Sequence, residues 1–329
     1  MKHRVWPAAL AVLLAAGGAT LAGCTSTQGG PTPEDPITAA GDTQLPDGIA
    51  KSHPLRDGET VVGTTAGSIV VAATPTAGTA SVRVLDADNP RTIWSSEERF
   101  AGAAVKVIGL DADVVIVELR LPSSEALVAG LTAESGSILW TLPTQGNRFQ
   151  PIRGTGTGLL RTDSVPIVIS TTSGTEMWRG EPGDTMRATL GATVVTDQAG
   201  GRAHFDLTDG RSINARSGLK GKTSKWATAA GTGFWTAGHG VLAANGAVQW
   251  GDPTKPAGHT VGDDNHVAIL TKTRSGWTAQ LHRTTSGEDG GVTEVATCQN
   301  AEPLGFTRGV LVWQCPRSDR QEFMRARLQ

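Results

Sequence analysis

From residue 59 onward, short runs of β-branched residues alternate with turns of Gly, Asp, Asn and Ser. Brief apolar runs bounded by turn formers read as strands. They fall at residues 60–64, 68–73, 80–85 and 92–95, and again at 105–109, 114–119, 127–132 and 138–142. Beyond residue 25 no long stretch places apolar residues at i, i+3, i+4 and i+7, so long helices are not expected. The strands come in groups of four, and the groups return.

A Gly turn followed four residues later by Trp marks the repeat. It reads Ser135-Gly136-Ser137-Ile138-Leu139-Trp140, Ser173-Gly174-Thr175-Glu176-Met177-Trp178 and Asn245-Gly246-Ala247-Val248-Gln249-Trp250. Degenerate copies are Asn89-Pro90 before Trp94 and Asp209-Gly210 before Asn214. The marked positions, 94, 140, 178, 214 and 250, are 46, 38, 36 and 36 residues apart. A period of this size belongs to a four-stranded propeller blade. Trp94, Trp140, Trp178 and Trp250 sit on the outer strands, where a large flat side chain fills the gap between adjacent sheets and buries about 150–250 Å².

The predicted fold is therefore all-β: a β-propeller, most simply of seven four-stranded blades, with six or eight as the alternative counts. Further groups span residues 149–179, 186–215, 226–251 and 260–296. The last segment supplies only three strands, at 304–307, 309–314 and 322–327. A strand from residues 45–56 is expected to complete that blade and close the ring, because closure removes exposed sheet edges.

The stretches 132–140 and 171–178 resemble the pyrroloquinoline quinone-like β-propeller repeat, in which a polar residue and a Gly turn precede an outer-strand Trp. The resemblance extends over residues 57–329, with three sharp copies. That family includes quinone-dependent alcohol dehydrogenases and non-catalytic bacterial lipoproteins. The enzymes are longer and hold the quinone with adjacent cysteines, a stacking Trp and a calcium site. This chain has no adjacent cysteine pair, since Cys298 and Cys315 stand apart. The repeat is a packing motif and carries no catalytic residue across, so the resemblance implies the non-catalytic branch and no cofactor is assigned.

Residues 1–23 read as a lipoprotein signal peptide: Lys2 and Arg4, then an apolar stretch, then Leu21-Ala22-Gly23-Cys24. The last four residues look like a bacterial lipobox, in which Cys24 is diacylated and becomes the mature N-terminus. Two acyl chains, at about 0.8 kcal/mol per buried CH₂, anchor a protein stably. Residues 24–48, rich in Thr, Gly, Pro and Asp, have little to bury and read as a disordered tether. Residues 49–329 form a single propeller domain. Cys298 and Cys315 are then an even pair in an oxidising compartment and read as a disulfide.

Loss of Lys2 and Arg4 leaves 27 basic against 31 acidic residues, a net charge of −4. That balance and the exported address argue against nucleic acid. Asp86-Ala87-Asp88-Asn89 and Asp263-Asp264-Asn265-His266 are the nearest approach to cation sites, but each supplies too few oxygens and reads as a turn. No histidine pair has metal-ligand spacing, so neither a metal site nor a catalytic residue is assigned.

Charge divides between the two ends of the ring. The first-to-second and third-to-fourth strand turns collect Asp86, Asp88, Asp111, Asp113, Glu134, Asp209, Asp263, Asp264, Glu288 and Asp289, with almost no compensating cations expected among them. The opposite face is basic on balance, and its strongest element, Arg216 with Lys220, Lys222 and Lys225, is the candidate partner contact. The expected function is a membrane-anchored extracytoplasmic scaffold for an envelope protein or an anionic polymer. The alternatives are a quinone or sugar oxidoreductase, a glycan-active enzyme, or a carbohydrate-binding propeller using exposed Trp226, Trp235 or Trp277.

Overall fold

In the computed structural model the chain divides into two compact units, Met1–Gly41 and Asp42–Gln329. The structure describes residues 50–73, 80–111, 113–121, 126–143, 148–152, 155–162, 165–182, 185–190, 193–198, 201–206, 210–212, 228–231, 234–237, 239–243, 248–252, 259–274, 276–296, 301–315 and 322–328, all in the second unit. Strands dominate them. One helical turn, α1 (Ser96–Arg99), is capped by the Ser95 hydroxyl, which accepts from the Glu98 N–H.

After β1 (Lys51–Pro54) the strands form sheets in chain order. Sheet one holds β2 (Glu59–Thr65), β3 (Ser68–Ala73), β4 (Ser81–Asp86) and β5 (Thr92–Ser95). Sheet two holds β6 (Ala104–Asp111), β7 (Val114–Arg120), β8 (Leu127–Thr132) and β9 (Ile138–Pro143). Sheet three holds β10 (Arg148–Ile152), β11 (Thr157–Arg161), β12 (Pro166–Ser170) and β13 (Glu176–Arg179). Sheet four shows three strands among the described residues: β14 (Thr185–Leu190), β15 (Thr193–Gln198) and β16 (Gly201–Asp206).

Sheet five holds β17 (Thr228–Gly231), β18 (Phe234–Ala237), β19 (His239–Ala243) and β20 (Val248–Asp252). Sheet six holds β21 (His259–Gly262), β22 (His266–Lys272), β23 (Trp277–Arg283) and β24 (Asp289–Ala296). Sheet seven holds β25 (Glu302–Thr307), β26 (Val310–Gln314) and β27 (Glu322–Arg327), and β1 is its outer strand. The closing register pairs Lys51 with Arg325, Ser52 with Met324, His53 with Phe323 and Pro54 with Glu322. The ends of the propeller domain are thus joined by antiparallel hydrogen bonds within one sheet.

The first strands of sheets one, two, three, five, six and seven meet first strands of neighbouring sheets. β6 packs against β2 and β10, and β21 packs against β17 and β25. β2 meets β25, so the last sheet also meets the first. Side chains on a strand alternate between its two faces, which lets a single strand serve two interfaces. On β3, Val70 joins the core shared with sheet two, beside Val105, Val115 and Val117. Its neighbours Ile69 and Val71 join the core shared with sheet seven, beside Val310, Val312 and Phe323. The cores therefore lie between sheets. Strands buried on both faces need continuous apolar runs, and Ser68–Ala73 and Val114–Arg120 supply them.

Candidate functional site

What holds one sheet to the next is a relay through the third-to-fourth strand turns. In sheet two the Gly136 N–H donates to the Thr132 carbonyl at 2.9 Å, and the Ala133 N–H donates to the Asp113 carbonyl at 2.8 Å. The turn is thereby fixed with the Ala133 carbonyl free to accept. Trp94 of sheet one fills that place: its Nε1–H donates to the Ala133 oxygen at 2.8 Å, and its ring covers Gly136. Trp140 of sheet two does the same to sheet three, donating to Thr171 at 2.6 Å and covering Gly174. Trp250 donates to Thr284 of sheet six at 2.8 Å and covers Gly287. Trp178 covers Gly210.

At the closing seam the relay changes chemistry. The register that places Trp94 opposite Val84 places Lys51 opposite Arg325. Lys51 does not dock. Instead Arg325, on the strand inside it, donates through Nη1 to the Ala87 carbonyl at 3.1 Å and also to the Asp88 carbonyl. Arg327 forms an ion pair with Asp88. The Thr64 hydroxyl donates to the Phe306 carbonyl at 3.2 Å, and the Gly67 N–H donates to the Thr307 hydroxyl at 2.7 Å. Nearby, Arg83 grips Glu59 with both arms of its guanidinium, Nε to Oε1 at 2.9 Å and Nη2 to Oε2 at 2.6 Å. Such a pair is stable when buried only because its hydrogen bonds are complete.

Electrostatics at the seam follow from this crowding. His53 is buried against the Phe323 ring, 5.2 Å between centroids. Burial, reinforced by the Arg83 and Arg325 charges, lowers its pKa from 6.5 to about 4, so the imidazole is neutral at neutral pH. Burial pushes the Glu59 carboxyl upward, but the hydrogen bonds from Arg83 and the Arg56 N–H outweigh it and hold the group below its ordinary value. Burial depresses Arg325 despite the nearby Asp88 and Asp86 charges.

The acidic turns are engaged in local structure. Asp86 Oδ1 accepts the N–H groups of Asp88 and Asn89 at 2.9 and 2.8 Å. Asp263 Oδ1 accepts those of Asn265 and His266, and its Oδ2 accepts the Arg308 N–H across the boundary to sheet seven at 2.9 Å. Asp111, buried at the end of β6, accepts the Thr171 hydroxyl at 2.8 Å. These carboxylates shape turns and sheet boundaries. No group of three or more metal-ligating side chains occurs among the described residues.

Two expectations are corrected. The acidic turn face is not nearly free of cations: it carries Arg308, Arg327 beside Asp88 and Arg283 beside Glu288 at 3.6 Å. Arg327 stands there because polar contacts replace the Trp dock at the closing seam. Trp277 is not an exposed ledge. It is 6% exposed within the core shared with Trp313, its ring tilted against His259 with centroids 5.2 Å apart. Its indole N–H has no hydrogen-bond partner among the described residues, unlike those of Trp94, Trp140 and Trp250. Cys24, Cys298, Arg216, Lys220, Lys222, Lys225 and Trp226 lie outside the described residues.

Sequence reasoning missed Gly287, Arg325 and the Glu59–Arg83 pair. Thr284-Thr285-Ser286-Gly287 repeats Thr171-Thr172-Ser173-Gly174 letter for letter, a signal that marks Gly287 without any Trp following it.

The sheet topology makes the chain a β-propeller. No family model and no curated protein matches it. The solved structures to which the chain is similar include BamB from Moraxella catarrhalis, 16% identical over 79% of each chain, with a TM-score of 0.32. Dihydro-heme d1 dehydrogenase NirN, solved in complex with DHE, is 13% identical over 74% of this chain and 68% of its own, with a TM-score of 0.35. Similarity at this level extends to the fold class alone. No helix among the described residues is long and apolar enough to cross a membrane.

Proposed function

We propose that this chain is an extracytoplasmic lipoprotein whose seven-bladed propeller serves as a binding scaffold in the cell envelope. Cys24 carries the diacylglyceryl anchor, residues 24–48 form the tether, and residues 49–329 form the propeller. The observation that carries this reading is the place of β1. The N-terminal strand is the outermost strand of sheet seven, so the described chain closes on itself within one sheet.

The chemistry-bearing side chains support a scaffold as well. Glu59, Asp86, Asp111 and Asp263 are each committed to a structural hydrogen bond, and His53 is packed in the core. A Cys298–Cys315 bridge belongs to the same reading, and the burial of Cys315 is compatible with it. Arg216, Lys220, Lys222 and Lys225 are the proposed contact for an envelope protein or anionic polymer.

The test is metabolic labelling with palmitate together with membrane fractionation. The wild-type chain should be labelled and sediment with membranes, whereas Cys24→Ser should be unlabelled and released. A labelled Cys24→Ser variant, or a wild-type chain without label, would overturn the anchor. Charge reversal at Lys220, Lys222 and Lys225 should abolish salt-sensitive binding to an anionic polymer, and unchanged binding would overturn that contact.

A further inference from the structure

Arg148 and Arg161 stand directly opposite each other in the antiparallel pairing of β10 with β11. Directly opposed side chains share one face of the sheet, with Cβ atoms about 5 Å apart, and like charges there are destabilising. Both residues are exposed, and neither has a carboxylate within ion-pairing distance among the described residues. Among the described residues, the one side-chain hydrogen bond made by either is a 3.3 Å bond from Arg161 Nη2 to Gln150 Oε1. Arg161 has five N–H donors, and this bond engages one of them.

Other charged pairs in the fold are balanced or diverted. Lys106 faces Glu118 across sheet two, and Arg120 of the same hairpin lies 3.5 Å from Glu118. Arg179 is held by Glu176 in sheet three itself. Lys51 faces Arg325 at the seam, but Arg325 turns inward to the Ala87 and Asp88 carbonyls. Among the described residues the Arg148–Arg161 pair has no such relief. It sits where the inner hairpin of sheet three opens on the face opposite the acidic turns, the face on which Arg216, Lys220, Lys222 and Lys225 were placed by sequence.

We propose that Arg148 and Arg161 form a binding site for phosphate-bearing anions. Two guanidiniums one strand spacing apart present two planar forks, each able to take two oxygens of a phosphate group, and together match a dianion. This rests on the scaffold reading above and specifies the chemistry of one partner. A phosphate here supplies the negative charge that the sheet lacks, so the repulsion stored in the free protein becomes attraction in the complex.

The experiment uses the full chain carrying Cys24→Ser, so that no acyl chain contributes. Inorganic pyrophosphate is titrated by calorimetry, and vesicles of phosphatidylcholine with and without phosphatidylglycerol are tested by flotation. Arg148→Gln with Arg161→Gln should weaken pyrophosphate binding by at least about tenfold. Arg161→Glu should abolish binding while raising the thermal midpoint at low salt, because it turns a repulsive pair into an attractive one. Pyrophosphate binding without flotation identifies a soluble or polymeric phosphate, and flotation that depends on both arginines identifies a lipid headgroup. Unchanged binding in the double variant, or an Arg161→Glu chain no more stable than its parent, overturns the proposal. Neither result bears on palmitate labelling, so the anchor and the anion site fail separately.

Discussion

The indole of Trp140 covers Gly174 of the following sheet so closely that a Cβ built on Gly174 would lie 2.6 Å from the Trp140 Cβ and Cγ. Gly174 also has a φ of +67°, which an L-residue adopts only at a cost of about 1–2 kcal/mol. Gly174→Ala therefore carries two penalties, the backbone and the displaced indole with its 2.6 Å bond to Thr171. The expected loss is roughly 2–4 kcal/mol, read as a lower midpoint in chemical denaturation. Gly156→Ala is the control: its φ is also +67°, but nothing lies within 4 Å of the added methyl. It should lose only the backbone share. Equal losses in the two variants would show that the dock contributes little.

Arg325 does for the seam what Trp does elsewhere, so its removal should act locally. Arg325→Met leaves the Ala87 carbonyl without its side-chain donor, an expected cost of about 1–3 kcal/mol. Hydrogen exchange should quicken by one to two orders of magnitude at the β1–β27 pairing, since about 1.4 kcal/mol corresponds to tenfold. Amides of β7 and β8 should keep their protection. Uniform acceleration across all sheets would mean that the ring opens as a whole rather than at the seam.

His53 sets the pH response of that seam. Its folded pKa of about 4 lies below the ordinary 6.5, so between those values the unfolded chain binds a proton that the folded chain refuses. Stability must then fall as pH drops from 6.5 towards 4 and level off, as far as this group is concerned, below 4. After allowance for solvent screening, the loss is on the order of 1–2 kcal/mol. Glu59 acts in a separate window, since its depressed carboxyl withdraws support only as pH falls below its ordinary value near 4.5. Urea midpoints measured from pH 7 to 5 should slope for the wild type and flatten for His53→Gln. A variant that keeps the full slope would assign it to another group.

The periodic part of this structure was legible because four sheets meet the next one through the same residue types, a Trp laid on a Gly. Trp94, Trp140, Trp178 and Trp250 mark outer strands on sight. The direction of their contacts is less visible. Gly174 and Trp178 belong to one phrase in the sequence, yet Gly174 receives Trp140 from behind while Trp178 reaches forward to Gly210. The seam left no periodic trace, because it occurs once and joins residues 238 positions apart, as Arg325 and Ala87 do. Trp277 misled for a related reason: outside the repeat phase a Trp looks unexplained, although the core between sheets six and seven accounts for it. Arg148 and Arg161 look like ordinary polar residues until the register sets them face to face.

The proposed Cys298–Cys315 bridge makes a prediction that does not depend on any ligand. Cys315 follows β26 directly and is 4% exposed, packed in the same core as Trp277 and Trp313. A bridge closing a loop of this length stabilises by about 3 kcal/mol in the chain-entropy model, chiefly by restricting the unfolded chain. Cys298→Ser and Cys315→Ser should therefore each lower stability substantially, and the double variant should lose little more than either single one. Mild reductant should shift the wild-type midpoint towards that of the variants and leave the variants unmoved. Thiol alkylation under denaturing, non-reducing conditions should find neither cysteine reactive in the wild-type chain and one reactive cysteine in each single variant. Additive losses in the double variant, with both thiols open to alkylation in the wild type, would show two separate buried cysteines instead.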